Sequence, residues 1–75
     1  MNKLFDLLDK YNPFIVVLKL DKNGELFIKE PGKKEKKLIN LDDMGIDVKD
    51  REILDKFIGR LNFIGYEVIL KWNII

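Results

Sequence analysis

Leu18-Lys19-Leu20-Asp21-Lys22-Asn23-Gly24-Glu25-Leu26-Phe27-Ile28, residues 18–28, is the stretch on which the fold turns. Two apolar-alternating runs flank an Asn-Gly pair, the strongest short-range signal for a β-hairpin. A two-residue Asn-Gly loop would pair Leu20 with Phe27 and Leu18 with Lys29. A three-residue loop with Gly24 in the left-handed conformation instead pairs Leu20 with Leu26 and Leu18 with Ile28. Only the second register keeps one face apolar, because a one-residue slip moves every side chain to the opposite face. It is therefore the expected one.

Working outward, Phe14 to Leu20 is rich in residues that favour strands. Phe14, Val16, Leu18 and Leu20 fall on one face, and Ile15, Val17 and Lys19 on the other. Upstream, Asn2 to Tyr11 places Leu4, Leu7, Leu8 and Tyr11 on one helical stripe, and Asn12 before Pro13 ends that helix. Downstream, Pro31-Gly32 marks a type II turn, and a lysine-rich loop leads to a short strand at Leu38 to Leu41. Asp47 is a suitable N-cap for a second helix from Val48 to about Phe63, whose arc is Ile53, Leu54, Phe57, Ile58, Leu61 and Ile64. Gly65 is the expected C-terminal cap, and Tyr66 to Ile75 the last strand, with Tyr66, Val68, Leu70, Trp72 and Ile74 facing the helices.

The order helix, strand, strand, strand, helix, strand makes residues 1–75 a single α+β domain, a four-stranded mixed sheet with two helices packed on one face. The final strand follows a crossover helix, so it runs parallel to its neighbour. Placing it beside the first strand gives the order 3-2-1-4, because those two strands are the most apolar on both faces.

Composition excludes most chemistry. The chain has no Ala, Ser, Thr, Gln, His or Cys. The usual side-chain nucleophiles, a group titrating near neutrality and the ligands of zinc or copper are all missing. The expectation is a protein that is not an enzyme, holds no cofactor and has no catalytic or metal site. At 75 residues, without disulfide or structural metal, the core is marginal and association is one way to support it. A net charge of +1 supplies no global field toward nucleic acid. The longest apolar stretches are too short to cross a bilayer and no secretory leader is evident, so a cytoplasmic location is expected. Twelve of fourteen basic residues are Lys, which fits an AT-rich genome, a virus or plasmid, or a thermophile.

Three features carry functional expectations. Ile15, Val17, Phe27 and Ile69 should point away from the helices with no further layer over them, which suggests a homodimer or a protein-docking face. Lys33, Lys34, Lys36 and Lys37 could contact phosphates on a nucleic acid, although such a run more often forms a solvated turn that discourages edge pairing. Asp42, Asp43, Asp47 and Asp50 lack the spacing of a calcium loop, and two of them are placed to cap a helix. Phe63 lies off the apolar arc beside Glu52, Lys56 and Gly59, either as a recognition knob or folded under the next strand. The leading expectation is a non-catalytic interaction or regulatory module, homodimeric through its sheet face; a small nucleic-acid-binding protein is the alternative.

Overall fold

The computed structural model describes residues 3–71. Lys3–Leu8 forms α1, Val17–Leu20 β1, Glu25–Lys29 β2, Lys36–Asn40 β3, Arg51–Ile64 α2 and Glu67–Leu70 β4. A turn of 3-10 helix at Leu41–Met44 joins β3 to α2. The sheet order is β3-β2-β1-β4. β1 is antiparallel to β2 and parallel to β4, so the sheet is mixed, as expected.

The hairpin adopts the three-residue register, with Leu20 opposite Leu26 and Leu18 opposite Ile28. Asp21 fixes it: one carboxylate oxygen accepts from the backbone N–H of Asn23 and of Glu25, each at 2.9 Å. Gly24 then turns at φ +86°, where a side chain would be strained. Its carbonyl accepts from Leu41 N–H at 2.7 Å, which ties the turn to the end of β3.

Alternation in β1 and β2 buries Leu18, Leu20, Leu26 and Ile28 on one face. α1 contributes Leu4 and Leu8 to the same core, and α2 contributes Leu54, Phe57 and Leu61. Both helices therefore pack on the inner face of the sheet. The Tyr66 hydroxyl donates to the Leu8 carbonyl at 3.0 Å, joining the start of β4 to the end of α1.

Element boundaries differ from expectation where a local turn captures residues that read as helix or strand. Asn12 accepts from Phe14 N–H through its side chain (3.0 Å) and from Ile15 N–H through its carbonyl (3.1 Å), so residues 13–15 form a turn and β1 begins at Val17. Asp47 closes a similar turn with Lys49 N–H at 2.9 Å, leaving Asp50 to cap α2. The helix accordingly starts at Arg51 rather than Val48. β3 runs Lys36–Asn40, earlier than the expected Leu38 to Leu41, because the Asn40 side chain caps the 3-10 turn that Leu41 begins. Gly65 caps α2 at φ +118°. The expected start of the first helix at Asn2, and the last strand's continuation through Trp72 and Ile74 to Ile75, lie outside the described residues.

Candidate functional site

The outer sheet face is built by the residues between the buried ones. Lys19 of β1 sits between Phe27 of β2 and Ile69 of β4, and in the neighbouring row Val17 sits between Lys29 and Glu67. Apolar and charged side chains thus alternate across the sheet as well as along it. Ile15 belongs to the turn before β1 and is 57% exposed, and Ile69 is 41% exposed. Val17 and Phe27 are half-buried without belonging to the helix-side core.

What shields Phe27 is charge. The Lys71 ammonium lies 4.6 Å from the centre of its ring, a cation–π distance. Lys71 also donates to Glu35 at 2.7 Å, and Lys19 reaches the other Glu35 oxygen at 3.1 Å. These two lysines, Lys71 foremost, hold the Glu35 carboxyl below its ordinary pKa by hydrogen bonding to its charged form. The cluster pins the β2–β3 connection to the outer face at its Phe27 side. Val17 and its diagonal neighbour Ile69 are the other apolar residues of this face, with Lys19 of the cluster directly opposite Ile69.

The lysine loop is less uniform than its sequence. Lys33 lies 3.7 Å from Glu30, and Lys37 lies 3.0 Å from Glu25. Lys34 and Lys36 are exposed, and neither is ion-paired among the described residues. The acidic stretch divides between the 3-10 turn and the α2 cap, and no group of three or more potential metal ligands forms among the described residues. A hollow of about 530 Å³ near the hairpin tip sets Lys22 and Lys49 against Asp42 and Asp47. It has no net sign with which to select a ligand.

The helix side holds a different surface. Phe63 is 93% exposed and does not fold under β4. It forms one wall of an open groove of about 600 Å³, with Phe5 of α1 and Lys56, Gly59, Arg60 and Ile64 of α2. The offset of Phe63 from the apolar arc was the signal in the sequence; the apposition of Phe5 was not visible there. Phe14, 84% exposed, lies close to Gly65, where an added Cβ would meet its ring at 3.5 Å.

No protein-family model, curated protein or solved structure matches the chain. Among the described residues, no helix is long and apolar enough to cross a membrane.

Proposed function

We propose that this chain is a non-catalytic protein-interaction module that self-associates through its outer sheet face. The observation that supports the reading is the exposure of Ile15 and Ile69, with half-buried Val17 the diagonal neighbour of Ile69 on the outer face. Burying those side chains against a second copy removes apolar surface from water at about 25 cal/mol per Å², a useful addition for a domain this small. Phe27 contributes at the margin, where Lys71 covers it.

Sedimentation equilibrium over a wide concentration range tests the proposal. Wild type should show a monomer–dimer equilibrium, and Ile69→Lys should be monomeric because a dimer would bury an unpaired ammonium. A wild type that stays monomeric at the highest concentration defeats the reading.

A second reading, phosphate binding, is favoured by Lys34 and Lys36, which are exposed and have no ion-pair partner among the described residues. Titration of duplex DNA at low salt should then give a log–log salt slope of roughly −0.9 per contact, flattened when Lys33, Lys34, Lys36 and Lys37 are changed to Gln. Absence of binding at low salt rejects it.

A further inference from the structure

α2 carries two faces. Leu54, Phe57 and Leu61 are buried in the core. Lys56, Gly59, Arg60 and Phe63 follow the spacing i, i+3, i+4, i+7, so they too form a single stripe, and all four are exposed. A solvent-facing stripe of a small domain has no internal reason to end in a phenylalanine. Nor has it a reason to carry glycine in the helix interior, which costs about 0.5–1 kcal/mol relative to alanine.

The surroundings of Gly59 are open: a Cβ added there would meet nothing within 4 Å. The fold therefore does not require the glycine for close packing. Its absence of a side chain instead leaves the groove floor low between Phe63 and Lys56. Phe5 of α1 faces this floor, and Ile64 extends the apolar lining at one end. An adjoining recess of about 220 Å³ continues past Arg60 to Ile53 at the other.

Charge gives the groove a sign. Its two charged lining residues, Lys56 and Arg60, are both cations. Arg60 is in no ion pair among the described residues, while Lys56 has only Glu52 at 3.7 Å. In a chain whose formal charge is +1, this is a local asymmetry rather than a general basicity. The planar guanidinium of arginine is suited to a carboxylate, and the stripe from Lys56 to Phe63 spans about 10 Å, two turns of a facing helix.

We propose that the groove between α1 and α2 receives an amphipathic helical segment of another protein, with apolar anchors against Phe63 and Phe5 over Gly59 and carboxylates facing Arg60 and Lys56. This is the helix-in-groove mode of recognition. The groove is on the helix layer, so its occupation is independent of self-association through the sheet.

Selection from a displayed library of randomised amphipathic helices, with the full chain as bait, tests this. Wild type should enrich peptides with aromatic or aliphatic anchors three and four residues apart and flanking Asp or Glu. Phe63→Ala should weaken an enriched peptide at least tenfold, and Arg60→Glu should shift the preference toward basic peptides. Gly59→Leu should fill the floor and abolish binding while helicity by circular dichroism is kept, since leucine is the better helix former. Ile69→Lys should leave peptide binding unchanged whether or not the sheet face dimerises. No enrichment, or enrichment without acidic bias, overturns the proposal. So does binding that survives both Phe63→Ala and Gly59→Leu, and so does loss of wild-type self-association in Phe63→Ala, which would identify a second copy as the occupant.

Discussion

Among the described residues, the fold moves the pKa values of Tyr66 and Glu35 in opposite directions with respect to charge. Burial, with a smaller contribution from Asp9, raises the Tyr66 pKa, and its hydroxyl proton is the one donated to Leu8. A raised folded-state pKa gives stability that is complete below the unfolded value and is lost as pH rises through the folded one. Tyr66→Phe should cost about 1 kcal/mol in urea unfolding at neutral pH, at the modest end for a buried bond because the Leu8 carbonyl also accepts from Tyr11 N–H at 2.9 Å. Stability should also decline less between neutral and alkaline pH in the variant than in the wild type. Glu35 behaves inversely: its lowered pKa gives stability present above the ordinary value of 4.5 and lost as pH falls through the folded value. Unfolding midpoints measured on acidification should therefore drop more for wild type than for Glu35→Gln, and the difference should shrink in high salt because the cluster is at the surface.

At the scale of elements, the hairpin shows why much of the fold was legible. Asn23-Gly24 allowed two registers, and the apolar alternation of Leu18, Leu20, Leu26 and Ile28 selected the observed one. Crossover logic likewise placed β4 parallel to β1. Boundaries were obscured where two residues could play the same part. Asp47 and Asp50 are both competent caps, and Asp47 serves the preceding turn. Asn12-Pro13 ends a helix but also begins a turn, which removed Phe14 and Ile15 from β1. Two glycine substitutions check this account with opposite signs. Gly24→Ala should destabilise by about 1–2 kcal/mol, since φ is +86° and the new Cβ would lie 3.2 Å from the Asn40 side-chain oxygen. Gly59→Ala should stabilise by about 0.5–1 kcal/mol, since the helical position is open. Chemical denaturation of the two variants beside wild type reads both. Equal signs would mean that backbone conformation is not what separates them.

For the whole molecule, the outer face was legible residue by residue but not as a surface. The alternation assigned Val17, Lys19, Phe27 and Ile69 to one side, yet nothing local to the sequence brings Glu35 and Lys71 together over Phe27, because they are far apart in the chain. That ionic cover leaves Val17 and Ile69 as the apolar residues of the face, with Ile69 bordered by Lys19. With 75 residues and no cysteine, a dimer through this area should make folding and association one linked equilibrium. The thermal midpoint of wild type should then rise with protein concentration, on the order of 5 °C per tenfold for a domain of this size. Ile69→Lys should melt at one temperature at every concentration, and below the wild-type monomer, because the new ammonium lies opposite Lys19. Phe63→Ala should retain the wild-type dependence, since its ring projects from the helix layer. A flat wild-type dependence, measured by scanning calorimetry across two decades of concentration, would remove the sheet face from the account while leaving the groove to be tested separately.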